Sequence, residues 1–142
     1  MNDRVGILEL ADACAAMRTR DLELFAVLGG WVASTDAPAL QRLFAEACHR
    51  HAWHAELWRQ RTPTIPGAAV AAQPGVLQDA PNDDSGRGAW YRAALGEIAA
   101  ELAALGARVD VALDPSTART LDLVGRDVNE LADRLAGVSR AS

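Results

Sequence analysis

Cysteine is scarce in this chain: only Cys14 and Cys48 occur, on separate predicted helices and without a Cys-x-x-Cys spacing. That excludes a thioredoxin-like redox motif and a zinc ribbon, and assigns both thiols to the core or its boundary. No apolar run approaches the roughly 20 residues needed to cross a bilayer, and the amino terminus has neither the basic start nor the continuous apolar stretch of a signal peptide. A cytoplasmic protein with no membrane partner is expected. Positive charge is in deficit, with 14 basic against 19 acidic residues and a net charge of −5. The basic residues are scattered among acidic ones, which argues against nucleic acid or anionic lipid as a partner. The period-two alternation of strands is also absent, and there is no Gly-rich phosphate loop, nucleophile elbow or Cys/His pattern for acyl transfer.

What is present is helical periodicity over most of 142 residues, half of them hydrophobic, enough for a single domain over 1–142 with one core. Steps of three and four keep side chains on one face of a helix. One such seam runs Ile7, Ala11, Cys14, Arg18, Asp21, Phe25, Leu28, Val32, and a second runs Leu40, Phe44, Ala47, His51, His54, Trp58. Ser34 to Pro38 makes a stop and restart between them, with Asp36 as N-cap and Pro38 in the first turn. So short a connection predicts antiparallel neighbours.

From roughly 62 to 86 prolines and glycines interrupt every helical period, so a long crossover is expected. An extended chain of that length can travel the whole bundle, and the next helix can start at its far end. The apolar residues Ile65, Val70, Val76 and Leu77 read as a strap lying on the bundle. A third seam, Tyr91, Leu95, Ile98, Leu102, Leu105, Val109, Ala112, predicts a helix from Arg87 to Leu113. A fourth follows the Asp114-Pro115-Ser116 restart: Thr117, Leu121, Val124, Val128, Leu131, Leu135, Val138. Trp31 and Trp53 fall at seam edges and read as an apolar patch for a homodimer.

Hairpin, crossover, hairpin is the connectivity of ferritin-like bundles. The stretch from Arg18 to Arg61, RTRDLELFAVLGGWVASTDAPALQRLFAEACHRHAWHAELWRQR, resembles small actinobacterial-type ferritin-like domain proteins. The resemblance implies an all-α, ferritin-like four-helix bundle of two antiparallel hairpins. It also implies a di-iron centre built from a Glu on helix one, Glu-x-x-His on helix two, a third-helix Glu and a second Glu-x-x-His. Glu46 and His49 match the first Glu-x-x-His literally, but they fall opposite the second seam, and Glu23 falls off the first. Helix four has no histidine, so the usual di-iron ligand set is expected to be lost.

Arg18, Asp21, His51 and His54 take the place of apolar residues on the first two seams. Isolated charges there cost several kcal/mol unless they meet partners. At equal helical rise, residues level with one another across the hairpin have numbers adding to about 72. Asp21 is then level with His51 and Arg18 with His54, which predicts a buried cluster of the four. The favoured reading is a hydrogen-bonded network that fixes register in a binding or interaction protein of unknown partner. The alternative is a non-standard metal protein or metal-dependent oxidoreductase. It would use Asp21, His51 and His54 with Glu97, Glu101 or Asp127, and iron or zinc, neither favoured. Arg18 weighs against an ion. A proton-transfer or ligand pocket lined by Trp58, Trp90 and Tyr91 is the third reading, and no reaction is specified.

Overall fold

The computed structural model describes residues 3–64, 66–67 and 80–141. Among them are four α-helices and no strand: α1 (Ile7–Trp31), α2 (Pro38–Arg61), α3 (Asp84–Gly106) and α4 (Pro115–Ala141), with a 3-10 turn over Val32–Ser34. None is long and apolar enough to cross a membrane. The residues on which the strap reading rests, Ile65, Val70, Val76 and Leu77, lie outside the described residues.

Helix boundaries follow local chemistry. α2 begins on a proline whose missing N–H costs nothing at a first turn. Asp36 does not cap it, contrary to the sequence reading; the bend just before it is held instead by Asp84 of α3. That carboxylate accepts from Asp36 N at 3.3 Å and Ala37 N at 2.8 Å. α3 therefore starts beside the beginning of α2, at the end of the bundle away from Arg61. Asp83 caps α3 by accepting from Gly86 N at 3.1 Å, so this helix begins three residues earlier than the sequence predicts. It also ends early, at Gly106, because Asp110 folds the next residues into a turn through Ala112 N and Leu113 N. Ala112 is consequently exposed, and Val109 is only partly buried against the edge of the core. Asp114 caps α4 by accepting from Thr117 N at 3.1 Å.

α1 packs along α2, α3 along α4, and α2 against α4, whereas the α1 and α3 backbones approach less closely. Two ion pairs and a hydrogen bond fix the α2–α4 register: Glu46, Arg50 and His54 meet Arg134, Glu130 and Asp127 at 2.6, 3.0 and 2.8 Å. At the end where α3 begins, the Trp31 ring lies 5.2 Å from both Phe44 and Trp90, and Arg87 stacks 5.2 Å above Trp31. Trp31 is thus a core residue and not part of a dimer patch, while Trp53 is 46% exposed.

The α2 seam is buried throughout. On α1 the buried line is Ala11, Cys14, Met17, Asp21, Leu24, Leu28 and Trp31, a correction of the seam read from sequence. At 3.6 residues per turn the face drifts, and from Cys14 either Met17 or Arg18 can continue it. Burial selects the thioether, so Arg18 is exposed and does not join the cluster. The same drift turns Phe25 outward and brings Leu24 in. Leu24→Ala should therefore cost about 3 kcal/mol or more, the usual price of a core cavity, and Phe25→Ala under about 1 kcal/mol, as measured by urea unfolding.

Candidate functional site

Three potential ligand atoms, one each from Asp21, His51 and His54, lie within 4.8 Å of one another, and all three residues are buried. Both histidines are fully buried because they occupy the α2 seam between Ala47 and Trp58. Asp21 takes the matching place on α1. Tyr91 reaches in from the first seam position of α3, and Asp127, one residue before the buried Val128, arrives from the flank of α4. All four helices contribute.

Asp21 Oδ1 lies 2.7 Å from His51 Nδ1, and Asp21 Oδ2 accepts from Trp58 Nε1 at 3.1 Å. A carboxylate only accepts, so His51 Nδ1 carries the hydrogen, and in the neutral ring Nε2 accepts from the Tyr91 hydroxyl, 2.7 Å away. Burial, then the nearby Asp21 charge, pushes the Tyr91 phenol above its usual range and keeps it protonated. His54 Nε2 donates to Asp127 Oδ2 at 2.8 Å. Its Nδ1 is buried with no hydrogen-bond partner and lies 3.9 Å from Asp21 Oδ1. Burial lowers the His54 pKa more strongly than Asp21 and Asp127 raise it, so the ring is neutral near pH 7 and Nδ1 is a bare lone pair.

Of the carboxylates considered for an ion, only Asp127 touches the cluster; Glu97 is exposed, and Glu101 pairs with Arg20. Glu46 and His49 are exposed, with Glu46 held by Arg134. Glu23 is half-buried and outside the ligand group found among the described residues. Trp58 lines the cluster, whereas Trp90 packs on Trp31 instead. The guanidinium expected at position 18 is replaced by two others. Arg20 is buried beside Asp21, and Arg50 reaches Asp127 at 3.4 Å. Sequence reasoning missed both, although Arg20 sits on the Asp21 side of α1, three residues from Met17.

The donor set suits a divalent transition-metal ion. Two imidazoles and a carboxylate are common ligands of zinc and ferrous iron, each at roughly 2.0–2.2 Å for zinc. The outer nitrogen of each ring already faces an oxygen, Tyr91 for His51 and Asp127 for His54, the arrangement that orients metal-binding histidines. With Arg18 outside, no guanidinium among the described residues is bonded to any of the three ligands. Comparisons of the chain with protein-family models, curated proteins and solved structures find no match.

The neutral, buried His54 gives a pH dependence of fixed sign. Its pKa is depressed in the fold, so between that value and the unfolded one near about 6.5 the unfolded chain binds more protons, and stability rises with pH. In chelator-treated protein the His54 contribution is fully present above about pH 6.5 and declines as the pH falls below it. Urea midpoints at about pH 5 and about pH 7.5 should differ more for the native chain than for His54→Gln, which removes this titration.

Proposed function

We propose that this protein binds one divalent transition-metal ion, zinc or ferrous iron, on Asp21, His51 and His54. The observation that carries the reading is the unpaired, fully buried Nδ1 of His54 facing the Asp21 carboxylate. A buried nitrogen with nothing to bond is costly in a core that satisfies its neighbours, and a cation between it and the carboxylate removes that cost. Ligands about 2.1 Å from one ion stand at most about 4.2 Å apart, so small side-chain movements bring this group to coordinating distance. Coordination through both Nδ1 atoms leaves the rings protonated at Nε2, where Tyr91 and Asp127 accept. The His51 hydrogen then sits on Nε2 instead of Nδ1, a change of tautomer with no net release of a proton.

The framework of this reading is a ferritin-like bundle of two antiparallel hairpins that has exchanged the usual di-iron ligands for a mononuclear set. The start of α3 beside the start of α2 supports a crossover running the length of the bundle. The exposure of Glu46 and His49 supports the loss of the usual set. Two free thiols fit a cytoplasmic setting.

Calorimetric titration of apoprotein with zinc is expected to show one ion per chain. His51→Ala and His54→Ala should abolish uptake, and Asp127→Asn should weaken it by about tenfold or more through loss of ring orientation. Native protein that takes up no zinc or ferrous iron, with an unaltered melting temperature in their presence, would leave the cluster as a register-fixing network and overturn the assignment.

A further inference from the structure

We infer that the buried site communicates with solvent through the face between α1 and α3, by a port that the Arg20–Glu101 ion pair closes. As a path for the ion, the port rests on the metal reading above. As a path for water, it stands on the fold alone.

Several observations meet on this face. The α1 and α3 backbones are less closely packed than the other neighbouring pairs, and the Arg20 and Glu101 side chains bridge the gap. Beneath them is a void of about 10 Å³ lined by Met17, Arg20, Asp21, Trp58 and Ile98, among others. That volume is at the lower limit for one water molecule. Arg20 is more than nine-tenths buried, and its Nη1 has no partner although Nη2 bonds Glu101. The void is lined mainly by apolar side chains, with Arg20, Asp21 and Glu101 supplying its polar edge, and one water admitted there would satisfy the unpaired donor. Asp21 is the one proposed metal ligand that lines the void, so it is the first that an incoming ion meets. Glu101, half exposed at the outer end, can attract a cation and offset the Arg20 charge.

The opposite face is built differently. There His54 is shielded by Asp127, which is tied to Arg50, itself bonded to Glu130. The ring nitrogen on that side is the one already engaged, while the bare nitrogen points inward. The void is too small for a hydrated ion, so passage requires Arg20 to swing away and the ion to exchange water for Glu101 and then Asp21.

Arg20→Met tests the port. It removes the bar without burying a charge, because Glu101 keeps its solvent contact. The first readout needs no metal: hydrogen exchange of the Trp58 indole N–H, which bonds Asp21 at the void, followed by NMR. It is expected to accelerate by about tenfold or more while the Trp31 indole, away from the void, keeps its rate. The second is cobalt(II) loading and release to excess chelator, followed by visible absorbance. Both rates should rise by about tenfold or more with their ratio constant within about threefold, as for a gate that lowers one barrier in both directions. Arg134→Met, which breaks the Glu46 pair on the α2–α4 face, should leave both readouts unchanged. Unchanged Trp58 exchange in Arg20→Met, or equal acceleration in Arg134→Met, would overturn the port. Faster Trp58 exchange with unchanged cobalt rates would overturn it as the ion's path. Native protein that takes up no cobalt would count against the metal reading, while Trp58 exchange would still decide whether water reaches Asp21 this way.

Discussion

The Asp21 carboxylate is the constraint around which the bundle is arranged. A buried carboxylate costs several kcal/mol unless its oxygens are bonded, and both are, to His51 and Trp58 on the neighbouring helix. Those bonds hold α1 and α2 in a single register, since sliding either helix by one residue would carry the partners to another face. His51 then draws in Tyr91 from α3, and His54 draws in Asp127 from α4. One buried charge thereby relates all four helices, which apolar packing alone would specify less sharply.

Around this centre, polarity falls off unevenly. Toward the end where α3 begins, the chain packs aromatic rings, with Trp31 between Phe44 and Trp90 and Phe44 6.1 Å from Tyr91. Sideways, through α4, a graded series leads from the buried His54 to the partly exposed Asp127, then to Arg50 and Glu130 at the surface. Low dielectric surroundings strengthen each bond near Asp21, and the same surroundings keep His54 uncharged. One bare imidazole nitrogen facing a buried carboxylate is the feature on which the proposed ion site rests.

The sequence was most legible where chemistry and periodicity agreed. On α2 every seam position from Leu40 to Trp58 is buried, because apolar residues flank the two histidines on both sides and leave no competing face. The pairing of Asp21 with His51 followed from hairpin geometry, which depends only on helical rise. Arg18 was misplaced because Met17 beside it offers a cheaper inward side chain, a choice that needs the drift of the face as well as its period. Asp127 could be named only as one of three carboxylates, since choosing among them requires knowing that α2 packs against α4. Arg20 escaped notice because its role depends on a gap between α1 and α3 that periodicity does not encode. The early end of α3 had a local signal in Gly106, but the apolar Val109 continued the pattern past it.

The hold of Asp84 on the bend before α2 carries a further consequence for how the chain reaches this state. The groups it satisfies stand 47 and 48 residues away in sequence, and Arg87, one turn later, bonds Ser34 O and Thr35 Oγ1 at 3.0 and 3.3 Å. The first helical pair is thus incomplete at its own bend until the second arrives to close it. Such distant closure raises the contact order and couples the halves into one cooperative transition. A cut made between the halves separates the bend from the residues that secure it.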